Sequence, residues 1–304
     1  MARIIMNPKV AENVVSLDMD APGGTDLIRK HYEDGDVVIL KDKRLDLDYK
    51  FLNSLNFNID ASPEILKRVK KFTHGKIMGL KPGSKDETGR ALFEQTFQGD
   101  PGRLQAYKEQ VEYGNKQLFD IYKKIFPKYE DYKLAYTWRF TETIFENLHW
   151  DNIGIDDDYQ QVRIFVNVDS APRIWHVSHK IDEYAKANYE KENLGRWKKL
   201  VPDSFNSKVN NEILGGMARP LLDGLEVHHI AFEQGEIWLA ETRIASHQIY
   251  SGRQAIACMY YIKHESMDNP SKRFNKRVEN VHKLNSDNVL VRTASKISNA
   301  VSGR

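Results

Sequence analysis

The run Val162-Arg163-Ile164-Phe165-Val166-Asn167-Val168, followed after an Asp-Ser-Ala-Pro turn by Arg173-Ile174-Trp175-His176-Val177, decides how this chain is read. Both runs are short, rich in β-branched and aromatic residues and bounded by turn formers, the pattern of strands. Runs of the same texture occur at Tyr136–Phe140, Leu225–Phe232, Ile237–Ala240 and Ala255–Ile262. Strands separated by turns in this way form an antiparallel series. At this size the expected class is mainly β with flanking helices, built on a double-stranded β-helix core (a jelly roll, cupin-like). The mouth of such a double sheet is a common place for a metal site.

Working outward, Leu104 to Phe126 reads as an amphipathic helix. Leu104, Tyr107, Val111, Leu118, Ile121, Tyr122 and Ile125 recur at roughly helical spacing, and Pro127 closes it. Nearer the N-terminus, Val37-Val38-Ile39-Leu40 reads as a buried strand and Ser62-Pro63 as the cap and first turn of a helix. Lys76 to Asp86 reads as a loop, and its Gly-Leu-Lys-Pro-Gly-Ser-Lys lacks phosphate-loop spacing because Pro82 interrupts it. On the other side, the charged helical stretch at about 180–216, with Tyr184, Tyr189, Leu194 and Trp197, reads as an insertion over one sheet edge, a candidate lid. The expected organisation is therefore an N-terminal α/β region (1–131) packed on the core, a catalytic core with its helical insertion (132–268), and a basic C-terminal tail (269–304).

Composition bounds the function. The 304 residues are 40% hydrophobic and 29% charged with a formal net charge of +2, so any electrostatic signal is local. A single cysteine, Cys258, excludes a disulfide framework and a Cys-rich zinc or iron–sulfur site, and its apolar flanks predict a buried thiol. There is no long apolar segment to cross a membrane, and a cytoplasmic protein is expected. From Pro270 onward eight Lys or Arg face only Glu279 and Asp287. Such a tail could contact nucleic acid or an anionic surface, but a solvated extension or a docked helix is the stronger expectation.

The chemistry centres on Leu148-His149-Trp150-Asp151-Asn152. Alternate residues of a strand point to one face, so His-x-Asp presents an imidazole and a carboxylate together. His247, in Ala245-Ser246-His247-Gln248-Ile249-Tyr250, can supply a third ligand from a distant strand. Two histidines and one carboxylate form the facial triad that holds non-haem Fe(II) and leaves positions open for a co-substrate and O2. By contrast, His228-His229 and His176/His179 lack a carboxylate at strand spacing and read as ordinary strand histidines. Trp150, Trp175 and Trp238 read as core or pocket wall.

Around this pattern the sequence resembles the Kdo (3-deoxy-D-manno-oct-2-ulosonic acid) hydroxylases, which are Fe(II)/2-oxoglutarate oxygenases. Leu148-His149-Trp150-Asp151 falls on the family's Leu-His-x-Asp, Arg163 to Val168 on its Arg-Val-Phe-x-Asn-x, and Pro172 to Val177 on its Pro-Arg-x-Trp-Arg-Val. Phe232 to Ile262, with Gly235-Glu236-Ile237-Trp238, Ser246-His247 and Gly252, is similar to its C-terminal part. The resemblance covers roughly Tyr132 to Ile262. It implies His149, Asp151 and His247 as iron ligands and an arginine for the distal carboxylate of 2-oxoglutarate, because the planar guanidinium pairs bidentately with a carboxylate. Arg163 matches the family's arginine before the Phe strand, Arg139 matches one upstream of the triad, and Arg253 stands where many other oxygenases of this class place the anchor.

The implied activity is a Fe(II)/2-oxoglutarate-dependent dioxygenase that uses O2, releases succinate and hydroxylates an unactivated C–H bond of a small-molecule or sugar-like substrate. Asp151 argues against halogenation, in which a small residue takes that place. The chain departs from the family pattern between Arg139 and His149, which is shorter, at His176, and after Asp151. There Ile153 to Tyr159 is acidic and would repel an anionic sugar acid. Two other readings use the same residues or none of them: a zinc-dependent hydrolase on the His/Asp/His site, and a non-enzymatic β-sandwich binding module with a basic tail.

Overall fold

The computed structural model describes residues 2–69, 71–139, 143–144, 146–152, 159–214 and 226–285. Among these the strands are β1 (Arg3–Ile5), β2 (Val14–Leu17), β3 (Val37–Arg44), β4 (Lys71–Thr73), β5 (Asp131–Arg139), β6 (Thr143–Ile144), β7 (Tyr159–Asn167), β8 (Arg173–Lys180), β9 (His228–Phe232), β10 (Glu236–Leu239), β11 (Ala245–Gly252) and β12 (Ala255–Lys263). They form two sheets, ordered β1-β9-β8-β11-β6 and β2-β3-β10-β7-β12-β5-β4. Every pairing is antiparallel except β2 with β3, which are joined by the helix Gly24–Glu33 as a parallel crossover requires. The expected double-sheet core is present.

The side-chain period of two sorts β7 and β12 into two faces. Val162, Ile164 and Val166 of β7, with Ile256, Cys258 and Tyr260 of β12, face outward into a core shared with the helix Pro101–Ile125. That helix runs close to the span expected from its periodicity. Phe165, Trp175, Phe232, Trp238 and Ile249 face inward and fill the space between the sheets. The Phe232 and Trp238 rings stack at 3.8 Å and Trp175 meets Trp238 edge-on at 5.3 Å. Burial of roughly 1.5–3 kcal/mol per large side chain makes this aromatic plug a main source of sheet-on-sheet cohesion. Cys258 is buried in the outer core, as expected, and burial pushes its thiol up.

Two features differ from the sequence expectation, and a third is one of the two readings expected for the tail. The region before residue 131 is not merely packed on the core, since β1 joins one sheet and β2, β3 and β4 the other. Its strands are short or irregularly patterned, and β1 and β3 take partners from residues more than 100 positions away, so local pattern understates them. The stretch expected as a loop from Lys76 starts within a helix, His74–Met78, and the Lys108 ammonium donates to its last carbonyl, that of Met78, and to the Leu80 carbonyl just beyond it. And the tail begins as a docked helix, residues 274–285, whose Phe274, Val278 and Val281 are buried against Phe205, Leu194 and Trp150. Lys272 pairs with Asp34, and Arg277 pairs with Asp182 and donates to the Glu33 carbonyl, so part of the tail's charge is used in holding it down. Residues 286–304, Phe140, Leu225 and the acidic stretch 153–158 lie outside the described residues. Among the described residues no helix is long and apolar enough to cross a membrane.

Candidate metal centre

His247 sits on β11, where Ala245, His247 and Ile249 alternate with outward residues and the strand pairs with β8, opposite Val177. His149 is joined to it by a single antiparallel bridge, the two backbones exchanging N–H···O bonds of 3.1 and 2.9 Å. The His-x-Asp segment is therefore not the regular strand expected from its spacing. After that bridge it turns away, and the Asp151 amide donates to the Thr242 carbonyl at 2.7 Å, in the turn that leads into β11. Both anchor points lie on the same short stretch of chain, so one piece of backbone fixes all three side chains.

The candidate ligand atoms of His149, Asp151 and His247 lie within 4.8 Å of one another, the only such group of three among the described residues. His149 Nε2 is 3.4 Å from Asp151 Oδ1, and the imidazole centroids are 4.6 Å apart. Each imidazole turns Nδ1 to a carbonyl, His149 to Asn147 at 2.7 Å and His247 to Ala245 at 3.3 Å. A carbonyl only accepts, so Nδ1 carries the proton and Nε2 keeps its lone pair for a metal. Burial lowers the pKa of both rings, that of His247 strongly and further through the neighbouring His149 and Arg163. Neutral imidazole is the form that ligates. The Trp175 ring stacks on His247 at 5.1 Å and limits its rotation.

The arginines separate into two groups. Arg163 is buried, pairs with Asp151 Oδ2, and donates from the same Nη1 to Thr242 Oγ1 at 2.6 Å. This leaves Asp151 Oδ1 turned toward the histidines. Arg139 and Arg173 face the same interior: the Arg139 guanidinium acts on both others, Glu146 lies 3.9 Å from Arg139, and Glu146 and Asp169 act on Arg173 as counter-charges. Burial, followed by repulsion from Arg139, lowers Arg163 to about 10 and Arg173 to about 9. Arg139 Nη1, Arg163 Nε, Arg173 Nη1 and Trp175 Nε1 are buried without a hydrogen-bond partner among the described residues. Unpaired buried donors are costly, so an interior with this many calls for an acceptor-rich anion. Gly252 is part of the same enclosure, since a Cβ there would lie 2.7 Å from the Arg173 side chain. Arg253 is elsewhere: half exposed, it holds Asp169 through two bonds of 2.6 and 2.7 Å.

Several residues of the site were not singled out by sequence. Thr242 binds both Asp151 and Arg163, and its neighbour Glu241 is fully buried, accepting from Gln160, Gln161 and Arg243. Tyr32, from the N-terminal helix, extends its hydroxyl to the β7 backbone, accepting from the Arg163 amide at 3.1 Å and donating to the Gln161 carbonyl at 3.0 Å. Arg173 lies within a motif already noted, and that motif was its one signal.

No family model matches the chain, and no curated protein matches it. Solved structures do. A Kdo hydroxylase, described as a non-haem Fe(II) α-ketoglutarate-dependent dioxygenase in complex with α-ketoglutarate and Fe(III), superposes with a TM-score of 0.58 at 14% identity, covering 88% of this chain and 95% of its own. Its apo form gives 0.56 at 15% identity and its cobalt(II) complex 0.57 at 14%, with the same coverage. The chain has the Kdo hydroxylase fold. The shared Kdo hydroxylase architecture, at 88% of this chain, reaches well beyond the stretch where sequence motifs were legible. At this identity the likeness to the Kdo hydroxylase establishes the fold, and the chemistry rests on the residues themselves.

Proposed function

We propose that this chain is an Fe(II)- and 2-oxoglutarate-dependent oxygenase that hydroxylates an unactivated C–H bond of a small-molecule or carbohydrate-like substrate. The observation that carries the reading is the convergence of His149, Asp151 and His247 beside an interior of buried arginine donors that lack hydrogen-bond partners among the described residues. The residues fit both groups. Two neutral imidazoles and one carboxylate are the donor set that favours Fe(II), and orphaned guanidinium N–H groups suit the carboxylate of a keto acid. Fe(II) bound there, with 2-oxoglutarate and O2, supplies the oxidising chemistry that yields succinate and the hydroxylated product.

The protein's own contribution is placement. Arg163 and Thr242 orient Asp151, and the Asn147 and Ala245 carbonyls fix the two imidazole tautomers. Arg139 and Arg173 offer the donors for the distal carboxylate, with Arg163 beside them. The aromatic plug of Trp175, Trp238, Phe165 and Phe232 keeps water from the rear of the site. A cavity of about 240 Å³ beside His149 and Asp151, walled by Asn152, Ser207 and Asn211 among others, presents amides and a hydroxyl suited to a hydroxyl-rich ligand.

Succinate release across a substrate panel tests the reading. The wild type should release succinate with Fe(II) present, Asp151→Ala should abolish release, and Arg163→Ala should lower it roughly tenfold to a hundredfold, as loss of a ligand's supporting partner does. Release unchanged in both variants would sink the assignment.

A further inference from the structure

The helical segment that follows β8 grips the backbone of the metal-binding stretch from the side opposite the sheet. Asn210 pairs with the Trp150 peptide in both directions, accepting from its amide at 3.1 Å and donating to its carbonyl at 2.6 Å. Asn206, fully buried, donates to the Asp151 carbonyl at 2.7 Å. Two successive residues of the His-x-Asp run are thereby held by two side chains four positions apart on one helical face. The helix Pro202–Lys208 passes into a π-helical turn, Val209–Ile213, closed by a Leu214 N–H to Val209 carbonyl bond of 3.1 Å. A π turn inserts an extra residue and re-aims the side chains that follow, and such turns concentrate at functional sites. Here it occurs at Asn210 itself.

Asparagine suits this task because its amide carries a donor and an acceptor in the geometry of a peptide group. Trp150 points away from the metal ligands into the small core formed by this segment and the C-terminal helix, and its Nε1 donates to the His179 carbonyl at 3.2 Å. The backbone on either side of Trp150 carries His149 and Asp151. The sheet holds that backbone at the His149–His247 bridge and at Thr242, and without a second support the carboxylate could swing on its far side.

We propose that Asn206 and Asn210 are positioning residues that set the distance between His149 and Asp151 and so tune metal affinity, making the insertion part of the metal site's frame rather than only a cover. The inference rests on the metal reading above. It predicts that the insertion and the metal are coupled in both directions, as linkage requires: weakening the clamp weakens metal binding, and metal binding tightens the insertion.

The test uses the full chain and Co(II) as the probe metal, with affinity from calorimetry and coordination from the visible absorption bands. Asn206→Ala and Asn210→Ala should each weaken Co(II) binding about tenfold, in line with other supporting-partner losses, and change the band positions. Asn210→Asp keeps the size and the bond accepted from the Trp150 amide but sets a carboxylate oxygen against the Trp150 carbonyl where the donor stood, so it should also weaken binding and shift the bands. It also keeps the test decisive should an alanine variant fail to fold. Lys208→Ala, on the exposed face of the same helix, should bind as wild type does. Amide hydrogen exchange across 202–213 should slow when Co(II) binds the wild type. Should the wild type take up no Co(II), the metal reading itself falls. If the wild type binds and the asparagine variants match it in affinity and bands, the clamp falls while the metal reading stands.

Discussion

Asp151 shows how much of this site is decided by single hydrogen bonds. One carboxylate oxygen accepts from Arg163 while the other faces the His149 imidazole, so the guanidinium orients the ligand without competing for the same lone pairs. On the proposed reading Arg163 serves as much to support a ligand as to attract a co-substrate, and the more available anchors are Arg139 and Arg173, whose Nη1 groups are buried without a hydrogen bond among the described residues. A hydrogen bond to a charged group contributes about 1.5–3 kcal/mol, so Arg139→Gln and Arg173→Gln should each weaken 2-oxoglutarate binding roughly tenfold to a hundredfold. Titration of the charge-transfer band of the Fe(II) protein under anaerobic conditions reads this directly. Arg253→Gln should leave that affinity unchanged, because Arg253 is engaged with Asp169 away from the triad. A large effect at Arg253 with none at Arg139 or Arg173 would reverse the ranking.

At the scale of elements, the C-terminal helix 274–285 and the insertion share one small core, and Phe274 lies at its centre, fully buried and under the Arg243 guanidinium at 4.9 Å. Arg243 belongs to the buried network with Glu241, next to the Thr242 that holds Asp151, so this helix closes over the far side of the turn that carries the candidate metal ligands. Phe274→Ala should cost about 3–5 kcal/mol, the usual range for truncating a buried aromatic, visible as a lowered Tm. A loss below about 1 kcal/mol would show that the helix does not dock in solution. The strands β7, β8, β10 and β12 and the helix Pro101–Ile125 were legible because each carries a strong periodic apolar pattern and ends at a turn former or proline. The triad was legible because its residue types and order are distinctive. The roles of Thr242, Asn206 and Asn210 were not, because they act through backbone groups of residues far away in sequence, and no periodicity marks a side chain that bonds a remote peptide. For the tail the sequence left a docked helix beside a solvated extension, because three apolar residues, Phe274, Val278 and Val281, make only a narrow stripe within a strongly basic segment.

Over the whole molecule, the N-terminal region is woven into the double-sheet core. β3 pairs with β10, β4 with β5 and β1 with β9, while Pro101–Ile125 covers the outer face of β12, where Tyr122 stacks on Tyr260 at 3.8 Å. Tyr32 completes the β7 backbone at the residue that supports Asp151, and burial keeps its hydroxyl protonated and able to donate. The C-terminal segment returns to the same N-terminal helix, with Glu33 accepting from the Asp268 and Asn269 amides and Arg29 pairing with Asp268 at 2.5 Å. Residues 132–268 expressed alone would therefore expose Ile164, Val166, Ile256 and Tyr260, leave the edge of β10 unpaired, and lose the hydroxyl bound to the Arg163 amide. Each exposed apolar side chain forfeits roughly 1.5–3 kcal/mol, and together these losses match the whole stability of about 5–15 kcal/mol typical of a domain. The fragment should be insoluble or lack a cooperative melt, whereas the full chain should unfold in a single transition by circular dichroism. A soluble fragment with a cooperative transition and Co(II) affinity equal to the full chain's would overturn this view and make the N-terminal third a separable addition.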